Sequence, residues 1–81
     1  MKVEVKLFAV AKQLAGVEAI SIELPAGATV QDLRDALCEQ RPELRDITAR
    51  AMIAIDAEYV SNDTNISENS EIALIPPVSG G

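Results

Sequence analysis

The chain contains no histidine and a single cysteine, Cys38. Those two shortages remove most of the chemistry that side chains perform unaided. Without histidine, no Ser–His or Cys–His pair can activate a nucleophile. One thiol and no imidazole leave only carboxylates as metal ligands. Asp63, Asn65 and Ser67 loosely imitate a calcium loop, but Glu68 stands where the obligatory glycine belongs and Leu74 where the bidentate Glu belongs. No metal site is expected. A lone cysteine cannot close an internal disulfide, which fits a reducing compartment. Aromatics are nearly absent too: Phe8 and Tyr59 are all there is. The core must therefore be built of Val, Ile, Leu and Ala.

Positive charge is scarce, with 7 Lys and Arg against 13 Asp and Glu and a formal net charge of -6. An acidic surface repels phosphate backbones, so nucleic acid is not an expected partner; a basic protein is. No apolar run approaches a membrane span, and no charged-then-apolar leader opens the sequence. A soluble cytoplasmic protein, away from the membrane, is the expectation. Asn62-Asp63-Thr64 and Asn65-Ile66-Ser67 match the glycosylation pattern, which is idle without secretion. No glycine-rich phosphate loop is present, so no nucleotide is expected to bind this chain.

What is there is a patterned, 81-residue sequence, 48% hydrophobic, enough for one small core. Lys2 to Leu7 alternates strictly, a strand with Val3, Val5 and Leu7 toward the core. By the same parity Phe8 points to the opposite face. Ala9 to Ala15 carries helix formers, with Val10 and Leu14 at i, i+4, and Gly16 reads as the stop. Glu18 to Leu24 alternates again, with Ile20, Ile22 and Leu24 on one side. Pro25-Ala26-Gly27 is a turn. Thr29 opens the main helix as its cap, with Asp32 at the third position and Val30, Leu33 and Leu37 on one face. Pro42 ends that helix. Glu43 to Arg50 is weakly patterned and reads as a loop with one helical turn at most.

Ala51 to Ile55 is apolar on both sides and reads as a central strand. Asp56-Ala57 is a hairpin turn into a short strand around Glu58-Tyr59-Val60. Ser61 to Asn65 is a turn cluster. Glu71 to Ile75 is the last strand, with Ile72 and Leu74 on one face and Ala73 and Ile75 on the other. The fold class is α+β: one helix across a mixed sheet of four or five strands. If the first and last strands are parallel neighbours, the chain end leaves from the middle of the sheet. That is the β-grasp arrangement of ubiquitin-like proteins, with residues 1–75 as its body.

Residues 76–81, Pro76-Pro77-Val78-Ser79-Gly80-Gly81, then form an extended tail. Two prolines favour a stiff course, and glycine lacks the Cβ that would block a narrow channel. The α-carboxylate of Gly81 is the expected reaction centre, reached along Gly80.

Pro76-Pro77-Val78-Ser79-Gly80-Gly81, Leu7-Phe8-Ala9 leading through Lys12 to Gly16, and Ala54 to Val60 together resemble the small, sulfur-carrying subunit of molybdopterin synthase. The resemblance spans nearly the whole chain; Lys12 stands where that family more often has Arg. It implies that an activating enzyme of the ubiquitin-activating type, using ATP and magnesium, adenylates Gly81. Sulfur from a donor protein then displaces AMP and leaves a thiocarboxylate. The loaded tail enters the large catalytic subunit, in a heterotetramer, and gives its sulfur to a pterin precursor. This chain binds no cofactor and supplies no general acid or base. Phe8, Tyr59 and Ile75 are the expected apolar anchor for the large subunit, with Lys12 and the tail residues as further contacts. Cys38, mid-helix and without a cysteine or histidine partner, reads as structural. A carrier for another pathway such as thiazole synthesis, a ubiquitin-like modifier, or an inert interaction module are the alternatives.

Overall fold

The computed structural model describes residues 1–77. Its elements run β1 (Lys2–Leu7), α1 (Ala9–Ala15), β2 (Ala19–Glu23), α2 (Val30–Gln40), α3 (Arg45–Arg50), β3 (Met52–Ile55), β4 (Glu58–Tyr59) and β5 (Ile72–Ile75), with a 3₁₀ turn over Pro42–Leu44.

The alternation of β1 becomes strict burial: Val3, Val5 and Leu7 are buried and the polar residues between them exposed. In β2, Ile20 and Ile22 are buried on the same side, and Leu24 follows. Thr29 caps α2 as its sequence requires. Its hydroxyl accepts from the Asp32 amide at 3.3 Å, and the Asp32 carboxylate accepts from the Thr29 amide at 2.9 Å. Val30, Leu33 and Leu37 of α2 are completely buried. With Ile53, Ile72 and Leu74 they fill the space between helix and sheet. Each such side chain contributes roughly 1.5–3 kcal/mol of transfer free energy.

Five strands lie in the order β2-β1-β5-β3-β4. β1 and β5 are parallel, with Val5 beside Ile72 and Leu7 beside Leu74. The other pairings are antiparallel. This is the β-grasp topology, and it places the end of β5, and so the root of the tail, mid-sheet. β3 is an interior strand, paired with β5 on one side and with the two-residue β4 on the other, and β5 is the middle strand.

Residues 43–50 differ from the loop that their polar composition suggests. Pro42 starts a 3₁₀ turn, α3 follows, and Leu44, Ile47 and Thr48 are buried. A few inward side chains suffice to hold a short helix whose remaining surface is charged. Val10 and Leu14 are exposed, and the residue that α1 buries is Ala11. The outer edge of β2 is occupied by a side chain: the Gln40 amide accepts from Glu23 N–H at 3.2 Å and donates to Glu23 C=O at 3.1 Å. An edge strand is blunted in this way against further pairing.

Candidate functional site

Helices cover one face of the sheet; the other face holds the candidate site. Register assembles it row by row. Tyr59 lies opposite Ala54, Ala54 opposite Ala73, and Ala73 beside Lys6. In the next row Met52 lies opposite Ile75. Phe8 continues β1 in extended conformation, at φ -123 and ψ 154, one step past the Leu7–Leu74 pair. That step brings it to Ile75. Ala54 and Ala73 thus make a low floor between taller walls. The result is a groove of about 330 Å³ lined by Phe8, Ala54, Ala57, Tyr59, Ala73 and Ile75.

Both aromatics of the chain lie on this groove and both face solvent, Phe8 at 46% and Tyr59 at 64% exposed. Ile75 is half-buried. The strand parity of Phe8 and Ile75 and the hairpin position of Tyr59 thus bring together the three residues expected to meet. Ala54 and Met52 were not anticipated, because cross-strand register between β3 and β5 cannot be read from either strand alone.

Among the described residues, the three non-glycine residues with positive φ flank the same groove: Ala9 (51°) follows Phe8, and Asp56 (51°) and Ala57 (70°) precede β4. The left-handed region costs an alanine about 1 kcal/mol, whereas Asp tolerates it. Strained backbone of this kind concentrates where a surface must hold a set shape. At the rim, Lys6 Nζ lies 3.4 Å from Glu71 Oε1 in an exposed ion pair. Such a pair is weak enough to be exchanged for a partner's charge.

Lys12 lies outside the groove. It lines a neighbouring concavity beside Phe8, and its ammonium pairs with Glu18 at 3.2 Å. Pro76 is buried and Pro77 exposed, in a smaller groove with Val10, Ile47 and Arg50. Val78, Ser79, Gly80 and Gly81 lie outside the described residues. Cys38 is half-buried on α2 near Arg34, Asp35 and Thr48, none of which lines the sheet-face groove. Among the described residues no three His, Cys, Asp or Glu side chains group as a metal site. No helix among them is long and apolar enough to cross a membrane.

A five-stranded sheet with a central parallel pair and a largely apolar groove along its middle strand, in a sequence that ends in Gly-Gly, can be compared with known proteins. The family model described as the ThiS family matches residues 5–81. The chain belongs to the ThiS family. A molybdopterin synthase sulfur carrier subunit of Arabidopsis thaliana is 33% identical over 81 residues, covering 100% of this chain and 84% of the relative. Among solved structures, small archaeal modifier protein 1 of Haloferax volcanii superposes with a TM-score of 0.82 at 26% identity, over 95% of this ThiS-family chain and 98% of the other. A chain from the complex of subunits 1 and 2 of molybdopterin-converting factor of Helicobacter pylori superposes with a TM-score of 0.70 at 28% identity, over 100% of both chains.

Proposed function

We propose that this chain is the sulfur carrier subunit of a molybdopterin synthase. The observation that carries the reading is the largely apolar groove along β5, the strand that leads into the Gly-Gly tail. Docking that groove on the large subunit aims Gly81 into the partner's active site. Adenylation of the Gly81 carboxylate by an ATP- and magnesium-dependent activating enzyme releases pyrophosphate. Hydrosulfide-level sulfur then attacks the acyl carbon, the C–S bond forming as the C–O bond to AMP breaks, and leaves a thiocarboxylate. The sulfur anion is a soft nucleophile, as thiolates are, and attacks the pterin precursor; hydrolysis of the acyl–sulfur bond then leaves the sulfur on the pterin and frees Gly81 as a carboxylate. Delivery of that nucleophile to a set position is this chain's contribution.

Deleting Gly81 tests the reading. The truncated chain is expected to unfold at the wild-type temperature and to transfer no sulfur to precursor in the presence of the large subunit. Intact mass of the wild-type chain from native cells is expected to show a fraction carrying sulfur in place of one oxygen. Sulfur transfer by the truncated chain would remove Gly81 from the mechanism. Likeness to the archaeal modifier protein favours a second reading, attachment of Gly81 to lysines of other proteins. Isopeptide-linked Gly81 in digested cell protein would support it.

A further inference from the structure

Every large apolar side chain that the described residues leave exposed belongs to one of two groups. Phe8, Met52 and Tyr59 lie on the open sheet face. Val10, Leu14 and Val17 form the other group, at 41%, 50% and 45% exposed. Val10 and Leu14 stand one helical turn apart on α1, and Val17 follows just beyond its end. Three bulky apolar side chains on and beside a seven-residue helix thus leave nearly half of their surface to solvent.

Val17 lines a shallow concavity with Lys12 and Gln13, and Val10, at the other end of α1, reaches the root of the tail. Val10 shares a groove of about 270 Å³ with Ile47, Arg50, Pro76 and Pro77. Only Ala9 separates Phe8 from Val10, so the two apolar surfaces adjoin at the start of α1. They adjoin again where Ile75 of the sheet face runs into Pro76 and Pro77 of the groove.

We infer that the α1 stripe and the proline-lined groove are the second half of one interface, occupied by the large synthase subunit. The inference rests on the function proposed above. A protein that takes a thin tail into a channel must close around its root, so the partner that meets Phe8 and Ile75 on one side meets Val10 and Pro77 on the other. Area supports a shared occupant: a stable interface needs roughly 1,200–2,000 Å² in total, which three side chains do not supply. Charge argues against a second copy of this chain, since each brings a formal net charge of -6. Arg50 lines the groove and has no ion-pair partner among the described residues. The occupant therefore presents an apolar segment with a carboxylate opposite Arg50.

Calorimetric titration of full-length variants into the large subunit tests this, with circular dichroism as folding control. Leu14→Ser and Val17→Ser are each expected to weaken binding about tenfold, the loss of ~1.4 kcal/mol. Arg50→Glu is expected to weaken it by a factor that shrinks as salt is raised. Phe8→Ala runs alongside as a report on the sheet face. Should Leu14→Ser lose its helical signal, Val17→Ser, outside the helix, carries the test. Stripe variants that bind within about twofold of wild type while Phe8→Ala binds weakly overturn the inference and leave the proposed function standing. A wild-type chain that does not bind the large subunit removes both. Self-association of the wild type that Leu14→Ser abolishes, with subunit binding unchanged, assigns the stripe to a second copy and overturns the inference.

Discussion

Ala57 occupies the second central position of a two-residue hairpin turn, at φ 70°, where glycine is the favoured residue. Ala57→Gly removes a Cβ from the left-handed region, and stability is expected to rise by about 1 kcal/mol in chemical unfolding. Thr48 presents the opposite case, a buried polar atom: its residue is fully buried, and its Oγ1 has no hydrogen-bond partner among the described residues. Thr48→Val removes that unsatisfied group at nearly constant volume. A gain of about 1 kcal/mol or more, read as a higher unfolding midpoint, is the expected outcome. On the groove, Phe8→Ala and Ile75→Ala are expected to weaken large-subunit binding at least about tenfold, because apolar anchors at the centre of a patch dominate its energy. Affinities within twofold of wild type by calorimetry would place the interface elsewhere. Parity made Phe8 and Ile75 readable, since burial of Val5, Leu7, Ile72 and Leu74 sends their neighbours to the far face. The strain at Ala57 was not readable, because Asp-Ala is a weak hairpin signal compared with Asp-Gly.

At the scale of elements, Arg34 links three segments that sequence treats separately. Its guanidinium donates from Nη1 to the carbonyls of Thr48 at 2.8 Å and Ala51 at 2.9 Å, and from Nε to Asn62 Oδ1 at 2.7 Å. α2 is thereby tied to the end of α3 and to the turn that follows β4. Arg34→Ala frees two carbonyls and an amide oxygen, and about 2–3 kcal/mol of stability is expected to go with them. Arg34→Lys restores charge but not the fork, so it should rescue only part of the loss. Both are checked by denaturant unfolding at unchanged slope. The helix α2 itself was fully legible, from its Thr29–Asp32 box to its stop before Pro42. α3 was not, though Leu44, Ile47 and Ala51 do recur at helical spacing. Charged residues between them hid the pattern, and only packing against α2 shows that so narrow a face suffices.

Across the whole molecule, a net charge of -6 on so small a body makes association with a basic partner a matter of steering. Between about 0.1 M and about 1 M salt the screening length falls from about 10 Å to about 3 Å. Stopped-flow mixing with the large subunit is expected to show a falling association rate over that range, with a dissociation rate that changes little. The fold class was legible because period-2 and period-3.6 stretches alternate cleanly; the strand order followed only from assuming that the first and last strands pair. That pairing also governs how the protein comes into being. β1 and β3 do not touch each other in the sheet; β5 joins them. Translation delivers four strands before the one that unites them. A nascent or truncated chain ending before Ile72 lacks the strand that joins β1 to β3, and the strand edges that β5 covers are left unpaired, which proteases and chaperones recognise. A 1–71 fragment is expected to lack cooperative thermal unfolding and to be digested rapidly. The body thus closes only when the strand that leads into the tail has been made, so folding itself screens out unfinished carriers.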